Sequence, residues 1–362
     1  MTKCIATKHM MDQQSSLNLL RQLIAIPRSS RKEKEAADFL QHFIEGQGLK
    51  PQRVGNNLYI VDTEWRTDRP TLLLNAHIDT VRPTDAWTRN PYEPTLEGDR
   101  LYGLGSNDCG GGLVALLSVF VSEMSKPNAT RACNLVFAAS AEEEVSGSNG
   151  FELLLQSLPH IDAAIVGEPT SLQPAVAERG LMVIDCLSRG QSGHAARNEG
   201  INAIEKAADD ILRLRNHSFE RISPLLGAVK TTVTIINAGT QHNVIPAECH
   251  WTIDVRINEL YSHEEVLAEM QSLLQSQLTP RSMRLRSSAI PLHHPLVARC
   301  IALGLQPFGS PTLSDQALMP FPSIKLGPGD SSRSHTPDEY IYLADIARAI
   351  DLYTNILNGL TL

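Results

Sequence analysis

The sequence predicts an α/β protein, a mixed and largely parallel sheet with helices on both faces, interrupted by an inserted α+β unit. Three observations lead there. Short apolar runs ending in polar or Gly/Pro turns recur along the chain. Several are hydrophobic almost without a break, as strands covered on both faces are. Helical stretches lie between them, so the connections read as βαβ units. At roughly 100–200 residues per domain, the 362 residues suggest two domains.

From Gln14 to Gly48 the apolar residues fall at helical spacing, with a break at IPRSS. Two helices are expected, the second capped by one of the serines. Strands are expected at NNLYIVDT (56–63), TLLLNAHIDT (71–80), NLVFAAS (134–140), DAAIVGEP (162–169) and SIKLGPG (323–329). Helices are expected at LVALLSVFVSEM (113–124) and FELLLQSL (151–158). The middle changes character. A strand (LMVIDCLSRG), a helix (NAIEKAADDILRLRN), two strands (TTVTIINAG and HWTIDVRI), a helix (SHEEVLAEMQSLLQSQL) and a short strand near RLRSS follow one another. That order predicts two helices on one face of a small antiparallel sheet. Residues 1–177 and 287–362 are therefore expected to form one domain, and 178–286 the inserted one.

The formal charge of −8 with dispersed Lys and Arg excludes the basic footprint of a nucleic-acid binder. Small molecules or proteins are the expected partners. The longest apolar stretch, Leu113 to Val121, is about half of the roughly 20 residues that cross a bilayer. The start, MTKCIATKHMMDQQSS, has no apolar export core. No membrane association and a cytoplasmic location are therefore expected. Cys4, Cys109, Cys133, Cys186, Cys249 and Cys300 form no CxxC pair, as suits reduced thiols.

Acidic and histidine residues recur at the ends of the expected strands. His77 and Asp79 share a face in extended chain; they form either a structural pair or part of a metal site. Glu142, Glu143 and Glu144 follow NLVFAAS as either a solvated acidic turn or a ligand beside a base. Glu168 ends another run, and His335 lies in the loop after SIKLGPG. Asp108 sits in GLGSNDCGGG, which fails as a dinucleotide fingerprint because a carboxylate stands where the third glycine belongs. A plain glycine turn and a metal site both remain open there. In open α/β sheets ligands bind beyond the carboxyl ends of the strands, where these residues can converge. No G-x-S-x-G elbow, H-E-x-x-H helix or P-loop is present. Cys109 is a poor nucleophile beside carboxylates that raise a thiol's pKa. His293 and His294 are read as solvated, and His9, His42 and His160 are given no role.

Taken together, AHIDTV (76–81), GLGSNDCGGG (103–112), AEEEVSG (141–147), VGEPTSLQPA (166–175), SGHAA (192–196), HNVIPAECHWTIDVR (242–256) and GPGDSSRSHTPDEY (327–340) resemble the co-catalytic zinc aminoacylase and carboxypeptidase family. The wording GEPTSLQPA and the short chain look most like its acetylornithine deacetylase branch. The resemblance implies a zinc-exopeptidase type of fold and two divalent metal ions, zinc with cobalt or manganese as alternatives. It implies His77, Asp108 and Glu168 on one ion, and Asp108, Glu144 and His335 on the other. Glu143 matches the general base and Asp79 the carboxylate that orients His77. His194, Asn243 and Arg256 match substrate-reaching positions, His194 from the partner subunit of a homodimer formed through the inserted domain. A cis peptide at Asp108–Cys109 is also implied. The implied reaction is hydrolysis of the amide of an N-acylated amino acid: N-acetylornithine, N-acetylcitrulline or N-succinylornithine, in arginine biosynthesis. Desuccinylation of succinyl-diaminopimelate, dipeptide or carboxypeptidase cleavage, and a non-enzymatic binding protein of the same fold are the alternatives. GLGSND departs from the family's usual wording before the bridging Asp, at a place that could tune the substrate pocket.

Overall fold

A computed structural model describes residues 11–126, 131–197 and 199–362; Cys4 and His9 lie outside the described residues. The chain divides into two compact units. One takes in the chain up to Val176 with Ile290–Phe308 and Ser314–Leu362; the other is Ala177–Ala289 with Gly309–Leu313. The return of Gly309–Leu313 to the second unit has no counterpart in the sequence pattern.

The sheet of the first unit runs in the order Gln52–Val54, Asn57–Val61, Asn134–Ser140, Thr71–His77, Ala163–Val166, Ser323–Lys325, Ala175–Glu178. Its centre is parallel, because Thr71–His77 pairs in parallel with both Asn134–Ser140 and Ala163–Val166, and the latter with Ser323–Lys325. The margins are antiparallel. All seven residues of Thr71–His77 and of Asn134–Ser140 are buried, as the unbroken apolar runs predict. The helix Gly111–Ser125 is buried along nearly its whole length, packed between this sheet and the helices Gln13–Ile24 and Leu343–Leu357. Its apolar sequence is thus spent inside the protein: 89% of the apolar window in Ser106–Ser125 is buried.

Local chemistry explains several boundaries. Gln13–Ile24 begins where the Asp12 carboxylate accepts the Ser15 N–H at 2.8 Å, an N-cap of the usual kind. The helix Lys34–Gly46 has Glu33 at its N-cap and no side-chain cap, which corrects the serine expected there. Ser30 is used elsewhere: its hydroxyl donates to Asp79 at 2.7 Å. His294 is likewise not merely solvated, since its ring nitrogen accepts the Leu296 N–H and caps Pro295–Ala302.

The second unit is a four-stranded antiparallel sheet in the order Lys230–Ala238, Glu248–Ile257, Gly180–Arg189, Gln277–Pro280. One face of Gly180–Arg189 is buried and the other is not. The helices Ala203–Asn216 and His263–Leu273 close over the buried face through Ala203, Ala207, Leu214, Val266 and Met270. The second helix stops at Leu273, short of the expected end. There the buried Asp210 carboxylate accepts the N–H groups of Gln275 and Ser276, at 2.8 Å for Ser276, and turns the chain into the strand Gln277–Pro280. That segment, not RLRSS, is the fourth strand. Ser288–Ala289 pairs instead with Ala177 and Glu178.

Backbone packs directly on backbone where the helix Gly111–Ser125 meets the chain after Val166. A Cβ on Gly112 would lie 1.8 Å from the carbonyl oxygen of Gly167, so the helix reaches the backbone at the strand end only because position 112 has no side chain. Helix propensity alone predicts that Gly112→Ala gains roughly 1 kcal/mol. Overpacking predicts a loss of about 1–3 kcal/mol, and chemical denaturation of the metal-free protein is expected to show that loss. A neutral or stabilising substitution would contradict the packing.

Candidate metal centre

Parallel register sets the strand ends side by side. His77 is opposite Ser140, and Asn75 is opposite Val166. The residues just beyond these ends are therefore neighbours: His77 closing its strand, Glu143 and Glu144 in the turn Glu143–Val145, and Glu168 two residues past Val166. Asp108 lies in the loop before Gly111–Ser125 and His335 in the loop between Ser323–Lys325 and Tyr340–Tyr342. The Asp108–Cys109 peptide is cis. Glu142 and His335 hold left-handed backbone, φ 54° and 60°, which residues other than glycine adopt rarely.

The side chains from these segments converge. His77 Nε2 lies 3.1 Å from Asp108 Oδ1 and 3.7 Å from Glu168 Oε1. His335 Nε2 lies 3.7 Å from Asp108 Oδ2 and 2.8 Å from Glu144 Oε2. Asp108 thus turns one carboxylate oxygen toward each histidine. Ligand atoms of His77, Asp108 and Glu144 all lie within 4.8 Å of one another. Glu168 Oε1 is buried without a hydrogen-bond partner, a costly state for a carboxylate oxygen. An unpartnered buried oxygen among imidazole nitrogens and further carboxylates is the donor set of a divalent metal site, so these residues fit such a group.

The electrostatics point the same way. Burial pushes Glu168 up to about 8, and burial with the adjacent Glu168 charge holds Glu143 well above the usual carboxylate range. Burial also raises Glu144, although its hydrogen bond with His335 opposes this. That same hydrogen bond lifts His335 to about 9. Protons thus stand in for cations where carboxylates crowd. Burial drives the Cys109 thiol far above its ordinary value, which removes it as a nucleophile.

Around the cluster, Asp79 accepts the N–H groups of Glu143 and Glu144 at 3.1 and 3.2 Å, and its carboxylate lies 3.5 Å from His77 Nδ1. Glu142 turns away: it is buried, takes a hydrogen bond from Asn149 at 3.1 Å and lies 3.9 Å from Arg31. The triplet is therefore no solvated turn. Three buried groups had no signal of their own in the sequence. Glu339 accepts three N–H groups of the Asp108 loop. Arg28, drawn down to about 10 by burial, donates to three carbonyls. Asp315, raised to about 6 by burial, is held by Ser140 and Asn75. Glu339 could have been suspected, standing in the quoted HTPDEY run; Arg28 could not.

His194, Asn243 and Arg256 belong to the second unit. His194 is opposite Val244 in a two-residue ladder, and the Asn243 carbonyl accepts the Ala195 N–H at 3.0 Å. His194 and Asn243 are thus near neighbours. His194 is exposed, its Nδ1 taking the Ala196 N–H at 3.1 Å. Arg256 is half-buried and forks onto Asp254 of the same strand at 2.8 and 3.1 Å.

The sequence matches the family model of peptidase family M20/M25/M40 over residues 73–359. It is 32% identical over 311 residues to an acetylornithine deacetylase of Pectobacterium atrosepticum and 31% identical to one of Pectobacterium carotovorum, each match covering 79% of both chains. Among solved structures, the aminopeptidase PepT of Bacillus cereus superposes with a TM-score of 0.78 at 17% identity, over 97% of this chain and 99% of that one. A dinuclear metal binding peptidase of the M20 family from Bacillus subtilis gives 0.72 at 16% identity, over 96% and 97%. These two share the fold. With the family model spanning most of its length, the chain belongs to peptidase family M20/M25/M40 and is a dinuclear metal-dependent hydrolase.

Proposed function

We propose that the protein removes the acyl group from an N-acylated amino acid, N-acetylornithine first, with N-acetylcitrulline and N-succinylornithine as close alternatives, in arginine biosynthesis. The Glu168 oxygen that has no hydrogen-bond partner, inside a cluster of carboxylates and two histidines, carries the hydrolytic part of the reading. The matches to acetylornithine deacetylases support the substrate class. His77, Asp108 and Glu168 would hold one divalent ion, and Asp108, Glu144 and His335 the other. Zinc is the first choice, and cobalt or manganese suits the same donors. Bound there, such ions acidify water and polarise the amide carbonyl.

The chain's own groups then have distinct tasks. Glu143 takes the proton from the attacking water and hands it to the departing amine. Its raised pKa is in the direction that a base working near neutral pH needs. Asp79 holds the N–H groups of both glutamates and so sets their backbone, with which Glu143 would face the water and Glu144 would hold the ion. His194 donates to the carbonyl oxygen as it gains charge, and Arg256 with Asn243 receives the α-carboxylate of the substrate. His194 comes from the partner of a homodimer formed through the second unit. The exposed Ile235 and Ile236 on the edge strand Lys230–Ala238 support that pairing. The five described cysteines are unpaired, which supports a cytoplasmic site of action.

The metal-loaded protein is expected to give its highest kcat/KM with N-acetylornithine among N-acyl-ornithines, N-acetylcitrulline, succinyl-diaminopimelate and a dipeptide. A preference for the dipeptide would contradict the reading. Glu144→Ala should lose bound metal, whereas Glu143→Ala should keep it and lose turnover by about 10²–10⁴-fold. Metal loss in the Glu143 variant, or near-normal turnover, would place the base on another residue of the triplet. Below about 9 His335 carries a proton, and below about 8 so does Glu168, yet ligands must be unprotonated. Loading at pH 7 should therefore release protons, and affinity should rise with pH through 8 to 9. Calorimetry in two buffers of different ionisation enthalpy reads this. Affinity that falls with pH over that range would contradict it.

A further inference from the structure

Asp108 sits in a loop, and the loop is held from two sides by buried charges. The strand Arg100–Tyr102 pairs antiparallel with Tyr340–Tyr342. The chain leaving the first, toward Asp108, therefore runs beside the chain entering the second, from His335. Gly103 continues the ladder by donating its N–H to the Glu339 carbonyl at 3.0 Å. The Glu339 carboxylate, 2% exposed, accepts the N–H groups of Gly105, Asn107 and Asp108 at 2.9, 2.7 and 2.9 Å. From the other side the buried Arg28 donates to the carbonyl of Gly105 at 3.0 Å and to that of Ile78, between His77 and Asp79, at 2.7 Å. A third bond, to the Leu23 carbonyl at 2.5 Å, anchors it to the first helix.

Gly105 thus gives its N–H to a buried carboxyl group and its carbonyl to a buried guanidinium. It lies at φ 72°, and a Cβ there would come within 2.5 Å of Arg28 Nη2. We propose that Arg28 and Glu339 are positioning residues for the metal centre, acting through the two polar groups of Gly105 to fix Asp108 between His77 and His335. Each link joins two ligand-bearing segments: Arg28 ties the end of the His77 strand to the Asp108 loop, and Glu339 ties that loop to the His335 loop. Asn107 adds a second tie, its side-chain oxygen accepting the Asp330 N–H at 2.9 Å and its nitrogen donating to the Asp330 carbonyl at 3.1 Å. Charged groups suit these places for reasons of valence. An ionised carboxylate offers about four acceptor sites and no donor, enough for three N–H groups, whereas a glutamine would turn an NH₂ against one of them. The guanidinium reaches three carbonyls from one rigid fork, which a lysine cannot copy.

The proposal rests on His77, Asp108, Glu144, Glu168 and His335 being metal ligands, and its test separates the two ideas. Full-length metal-free protein, wild type, Glu339→Gln, Arg28→Lys and the double variant, is titrated calorimetrically with Zn²⁺ and with Mn²⁺. Each metal-free form is also melted. Each single substitution is expected to weaken at least one ion by about 10–100-fold, as loss of groups that orient ligands does, while metal-free melting stays near wild type. Because both act through Gly105, the double variant should lose less than the product of the two single losses. Unchanged affinities in the variants, a drop in metal-free melting that matches the lost affinity, or a fully multiplicative double variant would overturn the proposal. Should Glu339→Gln not fold, Arg28→Lys carries the test by the same affinity and melting measurements. A wild-type protein that binds neither ion would overturn the ligand assignment itself.

Discussion

Asp108, Glu143, Glu144 and Glu168 meet at the ends of buried parallel strands, and the repulsion among their carboxylates is the constraint to which the surrounding structure answers. Burial makes each charge expensive, and proximity makes them expensive together. The raised pKa values of Glu143, Glu144 and Glu168 register that cost. His77 and His335 lie against Asp108, Glu168 and Glu144, and the Glu168 oxygen nearest His77 still has no hydrogen-bond partner. Positive charge beyond the two imidazoles is what this arrangement requires.

Holding such groups together takes a frame that cannot relax apart. The two central strands, buried throughout, set His77 opposite Ser140, and the turn after Ser140 is pinned through Asp79 to the segment after His77. Gly112 against Gly167 brings the helix behind Asp108 onto the strand end that carries Glu168. Asp315 uses Ser140 and Asn75 to sit one layer below the cluster. Directional hydrogen bonds to backbone thus fix what electrostatics alone would scatter.

Much of this was legible because strand-end chemistry leaves a pattern. An acidic residue after an unbroken apolar run has few structural uses, so His77, Asp79, the glutamate triplet and Glu168 could be picked out one by one. Composition and spacing did not say which glutamate of the triplet faces inward; only the family resemblance assigned Glu143 and Glu144. The structure separates them by backbone geometry, with Glu142 in a left-handed conformation and bonded to Asn149. Arg28 and Glu339 escaped because their partners are backbone groups, which every residue carries and no motif advertises. The misplaced fourth strand of the second unit has a similar cause. Asp210 ends the helix before it from 65 residues away, while the local sequence still reads as helical. Ser30 looked like a cap and is instead spent on Asp79, a tertiary use that overrides local propensity.

The central claim is that Asp108 stands between two cations. The most direct measurement is anomalous diffraction from crystals grown with zinc, recorded on both sides of the zinc absorption edge. Two anomalous peaks are expected, one beside Asp108 Oδ1 with His77 and Glu168, the other beside Oδ2 with Glu144 and His335. A single peak in fully loaded crystals, or a peak pair that leaves Asp108 outside the coordination of either ion, would contradict it.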